Sequence, residues 1–176
     1  MAKIKNPLQF SRYFGISDSM MIRLGILDPT LNVDAKLFID PLLLSHSQHE
    51  EMRQAENTYK SFFADIIKLL QASQKEKDIA WRTVYRRLLF REIKGTCLGY
   101  GAASIRGSGF GPKLTAQITA TAKEIVDLGV TDPDLFIALP LLEENIGPDL
   151  ISDMTTNIII ENLRFIRKKV EMGVKG

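Results

Sequence analysis

Residues 47–70 read Ser47-Gln48-His49-Glu50-Glu51-Met52-Arg53-Gln54-Ala55-Glu56-Asn57-Thr58-Tyr59-Lys60-Ser61-Phe62-Phe63-Ala64-Asp65-Ile66-Ile67-Lys68-Leu69-Leu70. Met52, Ala55, Tyr59, Phe62, Phe63, Ile66, Ile67 and Leu70 recur with the period of an α-helix that buries one face. Ser47 and Glu50 stand in the S-x-x-E relation of a capping box, in which each side chain accepts the other residue's backbone N–H. The helix is therefore expected to begin at Ser47. One face of this helix is therefore expected to be buried.

Downstream, the polar stretch Ser73 to Asp78 separates it from a second helix, Ile79 to Ile93, with Trp81, Val84, Tyr85, Leu88 and Leu89 as its apolar face and Gly95 as its stop. Pro112 suits the first turn of a third helix, which runs to Leu128 with Leu114, Ile118, Ala122, Ile125 and Val126 inward and Gly129 just past its end. Asp132-Pro133-Asp134 opens a short helix to Leu139, broken at Pro140. From Ile146-Gly147-Pro148-Asp149 a long helix is expected to about Val170, with Ile151, Met154, Ile158, Ile159, Leu163, Ile166 and Val170 inward. Upstream, Pro7 to Gly15 and Met20 to Leu24 read as short helices, the second capped by the Ser17-Asp18-Ser19 run and stopped at Gly25. Lys36-Leu37-Phe38-Ile39-Asp40 reads as a strand closed by Pro41. The expected fold is mainly α, with about five to seven helices and a short strand or hairpin, in one domain over residues 1–176.

Composition supports an ordinary globular interior. Of 176 residues 45% are hydrophobic and 25% charged, and 23 basic against 21 acidic residues leave a net charge of +2. That balance argues against strong non-specific nucleic-acid binding by the whole surface. Two local basic clusters remain, Arg82, Arg86, Arg87 and Arg91, and Arg164, Arg167, Lys168 and Lys169. The single cysteine, Cys97, rules out a disulfide within the chain and a cysteine zinc site, and reads as a small packed hydrophobe. Neither a signal-peptide core nor a run of about 20 apolar residues is present, so the expected location is the cytoplasm, with no membrane span.

Four segments are candidates for chemistry. Asp40 ends the expected strand, where a carboxylate is costly unless it is paired, bound to a cation or used as a cap. Asp149 and Asp153 lie four apart on the last helix, with Asn157 and Glu161 continuing the row, and oxygen ligands so placed suit Mg²⁺ or Mn²⁺. The plainer reading makes these acids helix-start and solvent-facing residues. Glu92-Ile93-Lys94 has the E-x-K form of metal-dependent nucleases, in which Asp40 would be the upstream acid. The glycine-rich stretch with Arg106, Gly107, Gly109, Gly111 and Lys113 offers backbone N–H groups and cations to a phosphate, although it lacks the Walker form and also reads as a connector. His46 and His49 read as helix-start residues.

Leu37-Phe38-Ile39-Asp40-Pro41 with Leu43-Leu44, Leu98-Gly99-Tyr100, and Ile146-Gly147-Pro148-Asp149 followed by Ile151-Ser152-Asp153-Met154-Thr155-Thr156-Asn157-Ile158 together resemble the N-terminal region of uncharacterised bacterial proteins encoded among accessory and phage-defence genes. The likeness runs from about Leu24 to Ile160. It implies a bacterial accessory protein whose relatives are longer. On the residues themselves, one expectation is a metal-dependent phosphodiesterase or nuclease. Asp40, Glu92, Asp149 and Asp153 would act at the metal, with Asp40, Asp149 and Asp153 as its ligands and Glu143 as a further helper. The other is a non-catalytic helical module that binds a partner protein or itself.

Overall fold

The computed structural model describes residues 6–25, 27–32, 37–91, 93, 111–144 and 146–174. Within them the chain is helical. In order come α1 (Phe10–Phe14), α2 (Asp18–Leu24), a 3-10 helix (Pro41–His46), α3 (Glu50–Ala72), α4 (Ile79–Leu88), α5 (Pro112–Asp127), a second 3-10 helix (Pro133–Phe136), α6 (Leu139–Leu142), α7 (Pro148–Ile158) and α8 (Ile160–Val174). Gly15 and Gly25 close α1 and α2 in the left-handed region, at φ 66° and 62°. Only glycine adopts that conformation without steric cost.

Around α3 pack α4, α5, α7, α8 and both 3-10 helices. Ala55, Tyr59, Phe63, Ile66, Ile67 and Leu70 of α3 are buried, and Met52 and Phe62 pack at the edge of the same core. Phe63 stacks on Phe136 of the second 3-10 helix with ring centroids 4.1 Å apart. It also meets Tyr59 and Phe62 edge-on. Truncating such a ring to alanine costs about 3–5 kcal/mol. On α5, the buried Thr115 and Thr119 return their hydroxyls to the carbonyls of Gly111 and Thr115, so both hydroxyls are matched there.

Several local expectations are corrected. No strand is present among the described residues. Leu37 to Asp40 is not assigned to a strand, and the isolated backbone bridge joins Gln9 to Thr30. Asp40 instead caps the first 3-10 helix, its Oδ1 accepting the Leu42 N–H at 2.9 Å, so the chain turns where a strand would pair. That turn also displaces the capping box. Ser47 ends the 3-10 helix, α3 begins at Glu50, and the Ser47 hydroxyl accepts the N–H of His49.

α4 stops at Leu88, short of Ile93, because leaving the helix lets Phe90 pack beside Phe62, 5.8 Å between centroids. Pro140 does not break a helix but sits in the first turn of α6, a position that needs no N–H. The long terminal helix divides at Ile159, with φ −96° and ψ 16°, and Ile159 is fully buried. Just before it, the Thr155 and Thr156 hydroxyls each reach a carbonyl one turn back, at 2.7 Å. Such back-bonding bends helices. Among the described residues no helix is long and apolar enough to cross a membrane.

Candidate functional site

The candidate site is organised by α7. Pro148 occupies its first turn after Gly147, which places Asp149 in the first turn and Asp153 and Asn157 at successive four-residue steps. Ser152 is buried, and its Oγ accepts the backbone N–H of Ile39 at 2.8 Å. Asn157 donates through Nδ2 to the carbonyls of Arg91 at 3.0 Å and Asp153 at 2.8 Å. The residue before Asp40 and the residue before Glu92 are thus both fastened to α7, on either side of Asp153. Two segments far apart in sequence meet on one helix.

The acids differ in how they are held. Asp40 is exposed and caps with Oδ1, while its other oxygen accepts no hydrogen bond among the described residues. Asp149 is half-buried and accepts none among those residues. Its carboxylate folds back over Gly147, so that a Cβ added there would lie 2.7 Å from Oδ1. Asp153 is half-buried and already engaged. Glu143 accepts from Gln117 and Thr121, which ties the end of α6 to α5. Among the described residues, no group of three or more His, Cys, Asp or Glu side chains is arranged to hold a metal ion.

Within reach of the Asp40 charge lies Tyr59, 2% exposed, whose hydroxyl has no hydrogen-bond partner among the described residues. Burial, then the charges of Asp134 and Asp40, push its pKa far above the ordinary phenol value. On α5, Gly111 is the N-cap and Lys113 stands exposed in the first turn. Lys36, Glu92, Gly95, Cys97, Arg106, Gly107 and Gly109 lie outside the described residues. His49 is the N-cap of α3, in keeping with a helix-start role, whereas His46 closes the first 3-10 helix, its Nδ1 3.0 Å from the Ser45 hydroxyl.

Sequence reasoning missed the roles of Ser152 and Asn157, which hold other segments in place. The available signal was their type: both are mediocre helix formers on a helix whose other side is apolar. Such residues persist there when a distant backbone group needs a partner.

The chain belongs to the family defined by a domain of unknown function (DUF8370), whose profile matches residues 15–167. No curated protein and no solved structure matches it.

Proposed function

We propose that this DUF8370 domain is a cytoplasmic bacterial accessory protein, of the kind encoded with phage-defence genes, and that it acts as a metal-dependent phosphodiesterase on nucleic acid. The observation that supports this reading is the fastening of the Ile39–Asp40 and Phe90–Arg91 segments to α7 through Ser152 and Asn157. Ile39, next to Asp40 in sequence, and Arg91 are each bonded to the helix that carries Asp149 and Asp153. Asp149 and Asp153 are the core of the site, Glu92 follows directly on the anchored Arg91, and Asp40 stands at the edge with one carboxylate oxygen free among the described residues. Hard oxygen donors of this kind select Mg²⁺ or Mn²⁺. A cation bound by Asp149 and Asp153, with Asp40 beside them, would supply an activated water for attack on a phosphodiester.

The test is cleavage of labelled single- and double-stranded DNA and RNA with Mg²⁺ or Mn²⁺, beside Asp149→Ala/Asp153→Ala. Metal-dependent cleavage that the variant loses supports the reading. A folded protein that cuts none of these substrates contradicts it.

A second reading, a helical interaction module, is favoured by Leu42 and Leu43. They stand side by side at 56% and 61% exposure, while their neighbours Pro41 and Leu44 are buried. Adjacent exposed leucines suit a docking patch. Sedimentation of the wild type and of Leu42→Glu/Leu43→Glu tests self-association. A species heavier than the monomer that the variant loses favours this reading, and a monomer at all concentrations counts against it.

A further inference from the structure

The arginines of α4 divide into two kinds. Arg87 is held by its neighbours, its guanidinium 4.7 Å above the Phe62 ring and 3.9 Å from the Asp65 carboxylate. Arg82 and Arg86 are held far less. Each is exposed, and each uses only Nε, donating to the carbonyl one turn back (Asp78 at 3.4 Å, Arg82 at 3.2 Å). Among the described residues neither meets a carboxylate within ion-pair distance. Their terminal nitrogens therefore find no acceptor among those residues. Two like charges four residues apart on a helix repel each other. An anion across both forks removes that repulsion and matches their planar geometry.

Between the two arginines opens a surface pocket lined by Ile79, Arg82, Tyr85 and Arg86. Ile79 is 77% exposed, and an isoleucine there gains little from folding. Tyr85 reaches across to α5, its hydroxyl 3.5 Å from the Pro112 carbonyl, and the exposed Lys113 follows. The pocket thus alternates cations with an aromatic ring and an aliphatic side chain. A free phosphate would use only the cations, and a duplex keeps its bases stacked inside. A single strand offers both phosphates and open base faces.

We propose that the α4 face formed by Ile79, Arg82, Tyr85 and Arg86 docks single-stranded nucleic acid, the two guanidinium groups on phosphates and a base against Tyr85 and Ile79. This surface shares only its class of ligand with the phosphodiesterase reading. Its binding needs no metal, so the two fail separately.

The test is fluorescence anisotropy of short labelled single strands in EDTA, across a salt series, with the duplex as comparison. Arg82→Gln/Arg86→Gln and Tyr85→Leu are measured beside Lys60→Gln/Arg164→Gln, a charge-matched control elsewhere, and all are checked for folding by circular dichroism. The arginine variant is expected to bind at least tenfold more weakly. Its slope of log K against log salt should shrink by about 1.4, the value for two single-strand phosphate contacts at about 0.7 each. Tyr85→Leu is expected to weaken binding without changing that slope, and the duplex to bind less tightly than the single strand. No binding by the wild type, or an equal loss in the control variant, would overturn the proposal.

Discussion

The backbone N–H of Ile39 donates to the Oγ of Ser152 at 2.8 Å, across 113 positions of chain. This contact joins the LFIDP segment to the helix that carries Asp149 and Asp153. Ser152→Ala leaves the N–H without its acceptor at a part-buried position. The expected loss is about 1–3 kcal/mol, the range for an orphaned donor, read by urea unfolding. An unchanged midpoint would show that the contact contributes nothing to the fold.

Gly147 sets the position of Asp149. A methyl group there would stand 2.7 Å from Oδ1, which is the movable end of a side chain and not backbone. Gly147→Ala is therefore expected to swing the Asp149 carboxylate away, with less than about 1 kcal/mol of lost stability. Metal-dependent cleavage should fall at least tenfold. If cleavage survives in the alanine variant, Asp149 is not where the chemistry needs it.

Tyr59 carries a buried hydroxyl that finds no partner among the described residues. Removing an unsatisfied polar group is neutral or favourable, so Tyr59→Phe is expected to match or exceed the wild type by up to about 1 kcal/mol. A clear loss of stability in chemical denaturation would mean that the hydroxyl is bonded in solution.

Asp78 caps α4. The Trp81 N–H above all, with the N–H groups of Gln74 and Lys75 and the Ser73 hydroxyl, lowers its pKa from 3.8 to about 2. A carboxyl depressed in the folded state adds stability above its ordinary value, and that stability disappears as pH falls through the folded value. The melting temperature of the wild type should therefore drop between about pH 4 and pH 2. In Asp78→Asn the drop should be shallower, because this position no longer titrates. Parallel curves would remove Asp78 from the acid response.

Much of the fold was legible because periodicity survives wherever one face is buried. The α3 stripe, the Pro112 start of α5 and the glycine stops of α1 and α2 all follow from side-chain spacing and local backbone preference. What escaped depended on distant partners. The Ser47–Glu50 pair reads as a capping box until the preceding 3-10 helix takes Ser47 as its own end. Thr155 and Thr156 stand just before the break at Ile159, but that their hydroxyls turn back onto the helix carbonyls is settled only by the packing around them. The site was legible in a similar, partial way. Acids four apart were visible as a row on one helix, whereas Ser152 and Asn157 acquire their meaning only from backbone groups brought in by the fold.

The most direct measurement is a titration of the purified protein with Mn²⁺ followed by electron paramagnetic resonance, for the wild type and Asp149→Asn/Asp153→Asn. A metal site on α7 predicts that the wild type removes Mn²⁺ from the free-ion signal at one ion per chain, and that the variant, folded to the same extent, does not. A wild type that leaves the free-ion signal untouched, or a variant that binds equally well, would contradict it.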